Sequence, residues 1–210
     1  MLNSVDAREP AVTLLAEPLE HPEGPDTLES GDIIMVETWT GKIKIFQAGK
    51  GLSDHAVTHG GPNACTLGSD GCIYVTQNGG RWNKWTADQL SPPGIQRISP
   101  NGRVETIIDS VDGIECGAPN DLCFGADGRL YFTDPVGWPD KIDPRPRHIF
   151  AVDSSGNGEV IAELGEVFPN GIAADLQGGV VWGETISRYI RRKRPHQEIE
   201  TLARLPEGHM

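Results

Sequence analysis

Glu23, Asn63, Asn120 and Asn170 each follow a proline at the head of a short apolar stretch. Each is followed eight residues later by a glycine: Gly31, Gly71, Gly128 and Gly178. One carboxylate and three amides are hard oxygen donors, a set that suits Ca²⁺, Mg²⁺ or Mn²⁺ and contains no soft sulfur. If the four units pack about a common axis, these side chains converge at one end of it. A cation held there would polarise a carbonyl oxygen and stabilise the charge that develops on it.

Each anchor has a plainer role to be weighed against that one. An asparagine before glycine or aspartate ordinarily bonds its own backbone and fixes a tight turn. The equal spacing in four units argues against a mere turn role for Glu23 and Asn170. Glu23 beside an axis would be a buried charge in need of a partner, which points to a metal. Asn63 stands between a channel-facing bystander and a substrate contact.

The elements that must position these residues are short strands. Each anchor glycine leads into a β-rich run: IIMVET, IYVTQ, LYFTD and VVWGET. In the third unit the pattern predicts strands at 122–125, 130–133, 148–152 and 159–162. In the fourth it predicts 171–174, 180–183, 188–191 and 199–202. Turns rich in Gly, Asn and Asp separate them, and no stretch carries a capped helical period. The anchors are 40, 57 and 50 residues apart. The extra length falls in two loops, 78–93 and 135–147. Four-stranded units of this size are β-propeller blades, with the first strand of each nearest the axis. The fold class expected is therefore all-β, a propeller of about four blades, with residues 1–210 a single domain.

Composition narrows the function classes. Eighteen basic residues against 30 acidic ones give a net charge of −12, which repels nucleic acid and anionic membrane surfaces. No apolar run is long enough to span a bilayer. The amino-terminal stretch lacks the basic-then-apolar pattern of a secretory signal, so a cytoplasmic location is expected. Cys65, Cys72, Cys116 and Cys123 show no metal spacing and are expected as buried free thiols. His21, His55 and His59 lack a ligand spacing and read as solvated loop residues. Asp134 reads as a turn cap, and 191–194 as a solvated basic hairpin tip. Trp82, Trp85 and Trp138 sit in the two long loops, either shaping a channel mouth or simply packing there.

These motifs resemble the family of gluconolactonase and senescence marker protein (regucalcin). The matching pieces are HPEGP at 21–25, the run at 60–80, PNDLCFGADGRLYFTDP at 119–135 and FPNGIA at 168–173. The resemblance covers nearly the whole chain, in order. It implies a six-bladed propeller that binds one divalent cation in its channel and opens sugar lactones or related cyclic esters. It also implies that Glu23 and Asn170 are metal ligands. Asn120 would meet substrate or metal-bound water, which makes it a candidate for both catalysis and substrate binding, beside Asn63 as the other candidate substrate contact. The carboxylate that takes a proton from the attacking water would be the family's fifth-blade aspartate, with Glu23 the catalytic fallback within this chain. The cation would be Ca²⁺ first, with Mg²⁺, Mn²⁺ or Zn²⁺ as alternatives, and the partner a small lactone.

Two departures from the family pattern matter. The family's further ligand, an aspartate in a Pro-Asp-Gly motif on the fifth blade, has no counterpart before Met210. An arginine found in some relatives before Pro-Asn-Asp is replaced here by Glu115-Cys116-Gly117-Ala118. The final stretch, IETLARLPEGHM, has the form that precedes an anchor, so the chain is expected to lack its last blades. Two other functions compete with the lactonase expectation. One is a non-catalytic cation-binding propeller; the other is an arylesterase-like or strictosidine-synthase-like enzyme.

Overall fold

The computed structural model describes residues 12–82, 84–137 and 144–207. Among these the strands form four four-stranded antiparallel sheets and two two-stranded ribbons. Blade 1 comprises Pro22–Thr27, Ile33–Glu37, Lys42–Gln47 and Gly51–Val57. Blade 2 comprises Pro62–Leu67, Ile73–Gln77, Gly94–Ile98 and Val104–Ile108. Blade 3 is Leu122–Phe124, Leu130–Asp134, Arg147–Val152 and Gly158–Leu164. Blade 4 is Pro169–Ala174, Val180–Glu184, Tyr189–Lys193 and Glu200–Arg204. The all-β propeller expectation holds, and the strands expected for the third and fourth units fall where they were placed, give or take a few residues.

The ribbons account for part of the uneven spacing. Arg81–Trp82 pairs with Trp85–Thr86 inside the 78–93 loop. Ser110–Val111 pairs with Ile114–Glu115 between blades 2 and 3, a hairpin the sequence pattern did not reveal. Trp138 and the middle of the 135–147 loop lie outside the described residues.

Three apolar cores hold the blades face to face. Ile34, Val36 and Ile43 meet Ile73, Val75 and Ile98 between blades 1 and 2. Ile95 meets Phe132 and Phe150 between blades 2 and 3. Tyr131 and Ile149 meet Val180 and Trp182 between blades 3 and 4. Alternate residues of one strand point to opposite faces, so blade 3 feeds two cores: Phe132 one way, Tyr131 the other. The cysteines are free, three of them buried and Cys123 half-buried, as a small apolar side chain would be.

The 191–194 run departs from expectation. It is not a solvated tip: Arg191, Arg192 and Lys193 end the third strand of blade 4 and Arg194 follows it, all half-buried, with the three arginines paired with acids. Arg194 reaches Asp175 at 2.7 Å and Arg192 reaches Glu200 at 2.6 Å.

Candidate functional site

Each anchor stands where the first strand of its blade meets the preceding loop. In blades 1, 2 and 4 the pairing with the second strand slips there, between Glu23 and Asp26, Pro62 and Ala64, and Pro169 and Ile172. A bulge of this kind bends the strand and re-aims a side chain, here toward the axis.

Two repeated contacts, which the sequence pattern did not reveal, brace the anchors. The residue 13 places after each middle-blade anchor is a buried threonine, Thr76 or Thr133. Thr76 Oγ1 accepts from the Ala64 N–H at 2.9 Å and donates to the Asn120 carbonyl of the next blade at 2.6 Å. Thr133 Oγ1 does the same between the Asp121 N–H, 3.0 Å, and the Asn170 carbonyl, 2.9 Å. One hydroxyl thus ties the Asn120 backbone to blade 2, and another ties the Asn170 backbone to blade 3.

The residue 14 places after each anchor is polar and buried in all four blades: Glu37, Gln77, Asp134 and Glu184. Three of them hold the backbone just before their own anchor. Glu37 accepts from the Glu20 N–H at 3.0 Å, and Gln77 from Gly61 at 2.6 Å. Asp134 accepts from Gly117 at 2.7 Å, Ala118 at 2.9 Å and Val136 at 2.9 Å. Asp134 is therefore a clamp on the approach to Asn120, more than a turn cap. In blade 4 Glu184 turns instead to the Trp182 indole, at 3.3 Å, and to Ser187 and Arg191. The fixed interval of 14 was the available signal, masked because the four residues are of three different types.

The structure brings the four anchors together. Glu23, Asn63, Asn120 and Asn170 all line one cavity of about 300 Å³, walled further by Thr38, Trp39 and His21 of blade 1. Asn78, Trp82 and Phe168 complete it. Trp82 packs edge-on against Phe168, with ring centroids 6.0 Å apart, so the 78–93 loop does shape the channel mouth. Trp85 pairs behind it and does not line the cavity. A larger cleft of about 790 Å³ opens between blades 2 and 3 beside the Gly68 and Gly125 turns, at the other end of the strands. No anchor reaches that cleft.

The four side chains differ in how they are held. Asn120 is buried, 6% exposed, and its Nδ2 donates to Asn63 Oδ1 at 2.8 Å. Asn170 Nδ2 donates to Thr185 Oγ1 at 3.0 Å. Both nitrogen ends are thereby committed, leaving the Asn120 and Asn170 oxygens for a ligand. Glu23 is exposed, not buried. The expectation of a buried carboxylate is corrected here, and the cost of burial no longer argues for a metal at Glu23.

Beside them Asp121 is a second carboxylate near the axis. Burial pushes it up from its ordinary range, opposed by the Ile172 and Leu122 N–H groups and reinforced by the nearby Glu23 charge. Its two oxygens accept from Ile172 and Leu122, each at 2.8 Å, which binds blade 3 to blade 4. His21, expected to be solvated, is exposed but stacks on Trp39 at 5.0 Å and lines the cavity. Among the described residues no three His, Cys, Asp or Glu side chains cluster as a metal site. Any cation here would rest on a mixed set of one carboxylate and amide oxygens.

Fold and site together define a β-propeller with an oxygen-lined cavity at one end of its axis. The relatives match that class. The chain is 25% identical over 183 residues to a gluconolactonase of Zymomonas mobilis, an alignment covering 77% of this chain and 48% of that protein. It therefore spans about half the length of that relative. A solved gluconolactonase of Xanthomonas campestris superposes with a TM-score of 0.74 at 17% identity, covering 93% of this chain and 66% of that one. Virginiamycin B lyase of Staphylococcus aureus superposes with a TM-score of 0.67 at 19% identity, covering 91% and 58% respectively. No family model matches the chain. The chain is thus similar in sequence to a gluconolactonase and shares the propeller fold, a fold that hosts a lyase as well. Among the described residues no helix is long and apolar enough to cross a membrane.

Proposed function

We propose that the cavity opens the ring of a sugar lactone or related cyclic ester, with a divalent cation held by Glu23 and Asn170. One observation carries the reading. Four anchors spread over 147 residues of a gluconolactonase-like sequence meet at a single cavity.

The donor chemistry fits such a cation: a carboxylate at Glu23 and an amide oxygen at Asn170 whose nitrogen is already engaged. All-oxygen sets favour Ca²⁺, with Mg²⁺ or Mn²⁺ next. A bound cation would supply Lewis acidity to the lactone carbonyl. The chain's own residues do the rest. Asn120, braced by Asn63 and by the Thr76 hydroxyl on its carbonyl, presents a fixed polar group to the lactone. Glu23 accepts a proton from the water as its oxygen bonds to the carbonyl carbon, and returns that proton to the ring oxygen as the ring C–O bond breaks, giving the open hydroxy acid.

The test has two parts. Calorimetric titration with Ca²⁺, Mg²⁺ and Mn²⁺ should detect binding that Glu23→Gln weakens by about tenfold or more, since charge count sets affinity at oxygen sites. Glucono-δ-lactone opening should fall by about 100-fold in Glu23→Gln and vanish with a chelator. Undiminished turnover in excess chelator would reject the metal-assisted route.

A further inference from the structure

We propose that Asn78 is the donor that meets the lactone carbonyl oxygen, the atom that gains negative charge as water adds to the neighbouring carbon. The inference rests on the lactonase reading and adds a residue to it. The described wall of the cavity holds no lysine or arginine, so hydrogen-bond donors there must be neutral groups. Most of what the anchors offer is oxygen. Glu23 is a carboxylate, and Asn120 and Asn170 each commit their nitrogen to a neighbour.

Asn78 follows the second strand of blade 2 and lines the cavity, although it is only 5% exposed. Its amide can be placed one way round only. The Gly80 N–H donates to Oδ1 at 2.9 Å, and a backbone N–H cannot accept, so the oxygen is the end held by the loop. The Asn78 N–H donates to the Gly61 carbonyl at 3.0 Å and fixes the residue from the other side. Nδ2 bonds no described residue, yet it is not sealed in as the Thr38 hydroxyl is. It is the end of this amide left to meet a ligand.

The socket is built for that side chain. A Cβ on Gly61 would sit 2.2 Å from Asn78 Oδ1 and 3.0 Å from Nδ2, so only glycine leaves the amide its place. Thr185 holds the equivalent position in blade 4, 15 residues after its anchor, and there the side chain accepts from Asn170. In blade 2 the anchor Asn63 pairs with Asn120 instead, which frees Asn78 from that duty. A fixed donor at a developing oxyanion is worth about 10²–10³ in kcat. A cation held at Glu23 and Asn170 would share that charge, which sets the lower figure here.

The experiment measures kcat and KM for glucono-δ-lactone, with Ca²⁺ in excess, in Asn78→Asp and Gly61→Ala. The first keeps an acceptor for Gly80 and loses the donor. The second adds no charge and displaces only the end of the Asn78 side chain. Kcat should fall about 100-fold in Asn78→Asp and about tenfold in Gly61→Ala, with KM within about threefold of wild type. Calcium affinity of Gly61→Ala, by calorimetry, should also stay within about threefold. Asn78→Leu, uncharged and of the same shape, replaces Gly61→Ala if that variant fails to fold. A fall confined to Asn78→Asp would be an effect of the added charge and would overturn the assignment. So would an unchanged kcat in Asn78→Asp, or calcium affinity lost in Gly61→Ala. If the wild type opens no lactone, the function proposed above fails on its own, and gluconate, which keeps the same oxygen in its carboxylate, decides. Calorimetric binding of gluconate weakened about tenfold by Gly61→Ala supports the donor, whereas binding that is unchanged, or absent from the wild type, overturns it.

Discussion

Blades 2 and 3 sit between neighbours, whereas blades 1 and 4 each pack one described face against a neighbouring blade, and the same strand behaves differently in the two settings. The second strand of blade 3, Leu130–Asp134, is buried at every position, and that of blade 2, Ile73–Gln77, at all but one. In blades 1 and 4 the equivalent strands alternate over most of their length, with Ile34 and Val36, or Val180 and Trp182, on the core side. The site inherits the contrast. Asn120 and Asn63, from the middle pair, are shielded and bonded to one another, while Glu23 and Asn170, from the outer pair, are exposed. The two amides proposed to meet substrate are thus rigidly placed, and the two proposed ligands are the more exposed pair.

The junctions between blades differ too. Blades 2 to 3 and 3 to 4 are joined through a threonine hydroxyl. The equivalent of that threonine in blade 1 is Val36, whose methyl groups cannot bond. Blade 1 instead approaches blade 2 through Gly24, which has φ 43° and lies so near that an added Cβ would sit 2.2 Å from Ala64 Cα. Asp26 Oδ2 then accepts from Thr66 Oγ1 at 2.8 Å. One junction depends on close backbone contact, the others on a shared hydroxyl.

That contrast can be broken at chosen points. Gly24→Ala should have the largest effect, a loss of about 3 kcal/mol or more in denaturant unfolding, because both the φ and the neighbouring backbone forbid a side chain. A loss below about 1 kcal/mol would mean the first junction is slack. Thr133→Val and Thr76→Val should each cost about 1–3 kcal/mol, since each strands a buried N–H and a carbonyl. Comparable values would confirm that the two junctions are built alike, and a neutral pair would remove the shared hydroxyl from the account.

The smallest effect belongs to Glu37, and its pH dependence sharpens it. Burial pushes this carboxyl up, but the Thr40 hydroxyl, the Glu20 N–H and the Lys44 ammonium outweigh burial and hold it below its ordinary value of 4.5. A depressed carboxyl contributes stability above its unfolded pKa and loses it as pH falls through the folded one. Glu37→Gln should therefore melt about 2–4 °C lower than wild type at pH 7, with the gap closing below pH 4.5. A gap that persists in acid would mean packing, not charge, is at stake.

The repeat was legible because it is written in local terms. A proline before a polar residue, a glycine eight places on and a β-rich run after it recur four times, and turn chemistry and strand period need only near neighbours to operate. The braces behind the anchors follow the same repeat but vary in residue type, so Gln77 and Asp134 did not stand out as equivalents.

What the chain determined by itself was therefore the four blades, the limits of most strands in the last two, and the identity of the four oxygen-bearing anchors. Only tertiary packing decided that Asn120 bonds Asn63 from 57 residues away, that Thr38 is left with an empty hydroxyl, that Glu23 is exposed, and that Trp82 reaches the cavity beside Phe168. The reason is geometric. Contacts between blades depend on the angle at which one sheet lies on the next, and that angle is set by three apolar cores whose members lie far apart in sequence.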